Sequence, residues 1–165
     1  MTDIRVIGIG SEAGGDDAVG LHVLQYLKQV PLPGIDLVAV TEPSRLMWLL
    51  EGAEHVIVVD AVTGSIQPGQ VVWLSPERLA TGDLTPVSSH GVEVAAAIQL
   101  ARDLLADGSS RLSILGIGIT PPAGPSVELS PAIQVAAGRA ACEIGKKIYA
   151  LRRVEPTARA GGPIE

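Results

Sequence analysis

Cysteine is almost missing: Cys142 stands alone among 165 residues. A single thiol forms no intramolecular disulfide and builds no thiolate zinc knuckle, so a reducing cytoplasm is the compartment that fits. Phe is absent and aromatics total 2%, which removes the stacking platforms that bind single-stranded nucleic acids and many sugars. Basic charge is short as well. Twelve Lys and Arg against 18 Asp and Glu leave a net charge of −6, a sign that repels phosphate backbones and acidic lipid surfaces. No nucleic-acid partner is expected. No apolar run approaches the ~20 residues of a membrane span, and Asp3 followed by Gly8 and Gly10 is unlike an export signal; no membrane association is expected.

What remains is an aliphatic, globular composition, 47% hydrophobic and 18% charged, in a length that suits one domain. Ile4 to Gly10 is an apolar run ending in glycines, and Val19, Val23, Leu24, Leu27 and Val30 then recur at helical spacing. Strand, loop and helix follow in that order, with Asp16 or Asp17 placed to cap the helix. Ile35 to Val40 is a second strand, Glu42-Pro43-Ser44-Arg45 a helix start and Leu46 to Leu50 a short helix. His55 to Val62 is apolar and β-branched, broken only by Asp60, as in a buried central strand. Gln70 to Leu74 is a short strand, Ser75 to His90 a loop, Val94 to Leu105 an amphipathic helix and Arg111 to Ile119 a fifth strand. Ser130 and Pro131 open a last helix whose stripe is Ile133, Ala137, Ala140, Ile144 and Ile148. The domain is expected to span residues 1–151, with 152–165 a disordered tail. The alternation predicts an α/β fold, a three-layer αβα sandwich around a twisted, mostly parallel sheet of about five strands.

In open α/β sheets ligands gather beyond the carboxyl ends of strands. Asp16 and Asp17 follow the first strand, Asp60 lies at the end of the third, and His90 sits in a loop before a helix. Two or three carboxylates and an imidazole at one sheet edge suit a divalent transition metal such as nickel or zinc. Asp60 is the hardest of these to assign to structure alone, because an ionised carboxylate in an apolar strand is costly unless something compensates it. Asp16 and Asp17 have a competing role as helix caps, and one can cap while the other binds.

Other chemistries fit poorly. The Gly8 to Gly14 stretch has the nominal dinucleotide spacing, but it does not open the helix directly, and two Asp stand where phosphates would sit. No H-E-x-x-H helix, G-x-S-x-G elbow or phosphate-binding G-x-x-x-x-G-K-[ST] run is present. Ser89 and His90 are adjacent, a poor arrangement for a serine triad, and Cys142 reads as a packing residue of the last helix. His22 and His55 read as solvent-facing. Trp48 and Trp73 read as packing residues or as members of a protein-contact patch.

Several segments stand in a telling order and spacing: Gly8-Ile9-Gly10-Ser11 through Asp16-Asp17-Ala18-Val19-Gly20, then Glu42-Pro43-Ser44-Arg45-Leu46 and Val58-Val59-Asp60-Ala61-Val62 with Pro68-Gly69. Ser88-Ser89-His90-Gly91, Gly116-Ile117 and Leu129-Ser130-Pro131 complete them. Together they resemble the maturation endopeptidases that trim the C-terminus of the [NiFe]-hydrogenase large subunit. The resemblance implies a helix-flanked sheet and an aspartic-type endopeptidase whose partner is a [NiFe]-hydrogenase large-subunit precursor. It also implies nickel as the recognised ion, supplied by the substrate's own site. Asp17, Asp60 and His90 match the positions that recognise it, as metal ligands and catalytic groups. Two positions depart from the family pattern, Ser11 where Asn is usual and Thr41 where an Asp is frequent. Backbone N–H groups of the Gly10 to Gly15 loop are expected as oxyanion donors. Two rival readings use the same features: a non-catalytic nickel-binding assembly factor, and a peptidyl-tRNA-hydrolase-like or nucleoside-processing enzyme of similar fold.

Overall fold

A computed structural model describes residues 2–75, 78, 84–86, 99 and 111–154. The first strand, β1 (Thr2–Ile9), runs into a 3-10 turn (Gly15–Ala18) and helix α1 (Val19–Lys28), after which β2 (Ile35–Val40) returns beside β1. A second 3-10 turn, Pro43–Arg45, with its proline at the first helical position, leads into α2 (Leu46–Leu49). There follow β3 (Ala53–Gly64), β4 (Val71–Leu74), β5 (Leu84–Pro86), β6 (Leu112–Gly118) and a long final helix, α3 (Pro131–Val154).

The strands lie in the order β2-β1-β3-β6-β4, with β5 paired to β3 off that path. Pairings of β1 with β2, β1 with β3, and β3 with β6 are parallel; β4 runs antiparallel to β6 and β5 antiparallel to β3. Side-chain alternation splits the core into two faces. Ile4, Val6, Ile57, Val59, Ala61, Leu115 and Ile117 pack beneath α1 (Val19, Val23, Leu24, Leu27) and α3 (Ile133, Ala137, Ile144, Ile148). On the opposite face Ile7, Ile9, Val40, Val56, Val58 and Val62 meet Leu46 and Leu50. These clusters are almost wholly aliphatic, as the missing phenylalanines require.

Glycine permits the first crossover. A Cβ on Gly20 would collide with the carbonyl oxygens of Ile9 and Val59, and one on Gly8 with the carbonyl oxygen of Gly20. The start of α1 therefore lies directly on the carboxyl end of β1 and on β3 at Val59, closer than any side chain allows.

Several expectations need correction. The region 75–90, read as loop, contains the three-residue β5, whose Leu84–Pro86 pair with Val62–Gly64. β1 ends beside β3 at the Gly8–Val59 pair, so the edge of β3 beyond it is open to another strand. Residues 152–154, expected to belong to the tail, are the last turn of α3, and 155–165 lie outside the described residues. The helix expected over Val94 to Leu105 lies outside the described residues except for Gln99, which is helical. Cys142, read as packing, is exposed on α3, and His22 and His55 are half-buried rather than solvent-facing. His22 Nδ1 lies 3.1 Å from the Ala18 carbonyl oxygen.

Candidate functional site

The chain leaves β1 to one side to form β2 and returns on the other side as β3, so the sheet's topological switch point lies between β1 and β3. Asp17 and Asp60 sit there. Asp60 is the first β3 residue beyond the last β1 pair, Gly8–Val59, and faces Gly116 of β6 in register. Asp17 lies in the 3-10 turn that closes the β1–α1 loop. At 8% and 7% exposed, Asp17 and Asp60 are the only charged or polar residues buried among those described.

Asp60 Oδ1 accepts a hydrogen bond from the Ala61 N–H at 2.8 Å. That bond favours the ionised form, yet it is outweighed. Burial pushes the Asp60 carboxyl well above the usual carboxylate range, and the charge of Asp17 pushes it further. Both carboxyl groups are buried at this end of the sheet. Two converging carboxylates, one resisting ionisation, are a donor set that a cation would relieve.

Asp16, adjacent to Asp17, does something different. Its Oδ1 accepts the Ser130 N–H at 2.7 Å and its Oδ2 the Ser130 hydroxyl at 2.8 Å. The expectation that an aspartate of this loop caps the next helix is therefore corrected: α1 begins after Ala18 with no side-chain cap, and Asp16 binds the start of α3 instead. Around it Gly15 N–H donates to Ser126 O at 2.7 Å and Ser126 N–H to Ala13 O at 3.1 Å. The two adjacent aspartates thus differ in their surroundings: Asp16 is tied to the start of α3, while Asp17 is buried and its charge acts on Asp60.

His90, the third expected ligand, lies outside the described residues, and among those described no three His, Cys, Asp or Glu residues form a metal-holding group. The expected oxyanion donors are partly spent. Gly10 N–H donates to Val40 O at 3.1 Å, Gly14 N–H to Ser11 O at 3.0 Å and Gly15 N–H to Ser126 O. Thr41 and Ser11 are both exposed. Sequence reasoning does not single out Ser126 and reads Ser130 only as the start of the last helix, not as the partner of Asp16; the available signal is that two adjacent aspartates need different partners.

Residues 22–147 match the family described as HycI, hydrogenase maturation protease. The chain belongs to that family. A candidate hydrogenase maturation protease of Methanocaldococcus jannaschii is 30% identical over 99 residues, 56% of this chain and 63% of that protein. The match thus spans less than two thirds of that relative's length. Among solved structures, the [NiFe] hydrogenase maturation protease HybD from Thermococcus kodakarensis superposes with a TM-score of 0.70 at 20% identity, covering 88% of this chain and 98% of that one. The maturation protease HycI from Thermococcus kodakarensis KOD1 gives 0.66 at 25% identity over 90% and 93%. The HybD likeness establishes the shared α/β fold, and the sequence match establishes the family.

Proposed function

We propose that the chain is an endopeptidase that removes the C-terminal extension of a [NiFe]-hydrogenase large-subunit precursor once nickel has been inserted. Asp17, Asp60 and His90 would bind the nickel carried by the substrate. The supporting observation is the pair of buried, mutually repelling carboxylates at the switch point of a family member's sheet. A substrate site without its ion brings no charge to offset that repulsion, so docking is penalised; one with its ion is favoured. In this reading the nickel is part of the substrate, and as a Lewis acid it would activate the scissile amide. The chain's own groups orient that amide, while an Asp or His side chain handles the proton.

Purified protein incubated with nickel-loaded and nickel-free precursor, followed by mass spectrometry of the large subunit, tests the reading. Loss of a C-terminal peptide from the loaded form only is the expected outcome. Equal conversion of both forms would remove the nickel requirement, and conversion of neither would favour a non-catalytic assembly factor.

A further inference from the structure

The β1–α1 loop carries two aspartates, and the reading above uses one of them. We propose that Asp16 is a positioning residue: with Ser130 it forms a latch that holds the loop carrying the neighbouring Asp17 in place at the switch point where Asp60 also lies. This rests on the reading of Asp17 and Asp60 as the pair that meets the substrate's cation.

Asp17 is 8% exposed on the loop that follows β1, and a buried carboxylate keeps its place only while its loop is held. Neither Gly14 before the 3-10 turn nor Ala18 before α1 contributes a side-chain cap. A restraint on the loop comes from 114 residues away. Both oxygens of Asp16 are engaged, one by the Ser130 N–H and one by its hydroxyl, which fixes the carboxylate in position and in rotation. Ser130 is itself held at the head of α3, where its carbonyl oxygen accepts the Gln134 N–H at 2.9 Å. The helix below it is anchored in the core by Ile133, Ala136, Ala137 and Ala140. A carboxylate at the positive end of that 24-residue helix also sits favourably in its dipole.

The latch reaches Asp17 through the backbone. Gly15, at φ +58, turns the chain, and its N–H is bonded to Ser126 O. The N–H of Asp17 donates to Gly14 O at 3.1 Å. Asp17 thus follows directly on two residues fixed to the 126–130 segment, and its backbone is held by theirs. The division of labour explains why two acidic residues stand together: one anchors, the other faces the site.

The test compares Ser130→Ala, Ser130→Thr and Asp16→Ala with the wild-type chain on nickel-loaded precursor. Loss of a group that orients a ligand typically costs 10- to 100-fold. The expected result is therefore a KM raised about tenfold in Ser130→Ala and up to about 100-fold in Asp16→Ala, with a smaller change in kcat. Ser130→Thr, which keeps the hydroxyl, should restore the wild-type KM. A second readout needs no catalysis. In Ser130→Ala the amides of Gly15 and Asp17 should exchange with deuterium about tenfold faster, while those of Val6 and Ile144 are unchanged. If the wild-type chain cleaves no precursor, the functional reading fails and the exchange data alone decide the latch. An unchanged KM, even with a lowered Tm, overturns it; so does a KM raised equally in Ser130→Thr, or exchange at Gly15 and Asp17 that stays at the wild-type rate.

Discussion

A buried carboxyl facing another carboxylate is a burden on the free protein. Asp60 titrates well above 3.8 because burial and then the charge of Asp17 disfavour its ionised form. Across the window between its unfolded and folded values, the folded chain holds a proton that the unfolded chain has lost. The stability this supplies is full below about pH 4 and disappears as pH rises through the elevated folded value. Asp60→Asn cannot ionise, so it is expected to raise Tm at pH 7 by a few degrees, on the order of 1 kcal/mol. Calorimetry across pH should also show a flatter profile, and the same variant should lose precursor cleavage. A lower Tm at pH 7 would mean that the ionised carboxylate stabilises the free fold, against this reading. Asp16 contrasts at the same scale. It is half-buried with both oxygens satisfied, and sequence alone could not separate it from Asp17, because the difference between them is a serine 114 positions away.

Among elements, the junction of β1, β3 and α1 sets the site. Gly20→Ala would drive a methyl group into the carbonyls of Ile9 and Val59, and a loss of about 1–3 kcal/mol is expected in urea denaturation, as for overpacked cores. Wild-type stability in that variant would show that α1 can withdraw from the sheet without cost. On the other face Arg5 joins three elements. Its Nε donates to Asp36 Oδ2 at 2.7 Å on β2, and its Nη1 to the carbonyl oxygens of Leu49, the last residue of α2, and Glu51 just beyond it, both at 2.7 Å. Arg5→Met is expected to cost about 1.5–3 kcal/mol, since it removes bonds from a charged donor to a partly buried site. Chemical denaturation measures this, and an unchanged midpoint would mean that water replaces the guanidinium freely.

These elements were legible in the sequence wherever their signal was local. Ile4 to Gly10, the helical spacing from Val19 to Leu27 and the β-branched run around Val58 each carry their own period, and each formed the expected element. The opening of α3 at Pro131 was equally plain from Ser130-Pro131. What depends on a neighbour was not legible. β5 is short and contains Pro86; its pairing arises because β1 stops at Ile9 and leaves the far end of β3 uncovered. Cys142 lies two positions past Ala140 and two before Ile144. Near 100° per residue, that places it away from the buried stripe, so its exposure follows from a periodicity that a count of hydrophobic residues overlooks.

For the whole molecule, the acidic balance and the paired carboxylates bear on the same question. A net charge of −6 is of the sign that repels phosphate backbones, and in the proposed reading the two buried carboxyl groups at the switch point are where the substrate's cation docks. Family membership and the matching fold give this arrangement its context. The most direct measurement is a double-mutant cycle on binding of nickel-loaded and nickel-free precursor to the wild-type chain, Asp17→Asn, Asp60→Asn and the double variant. If both carboxylates hold one ion, each single change should weaken binding of the loaded precursor at least about tenfold, and the double variant should lose less than the sum of the two. The nickel-free form should bind all four proteins with similar, weak affinity. Loaded precursor that binds the double variant as tightly as the wild-type chain would contradict a cation shared by Asp17 and Asp60.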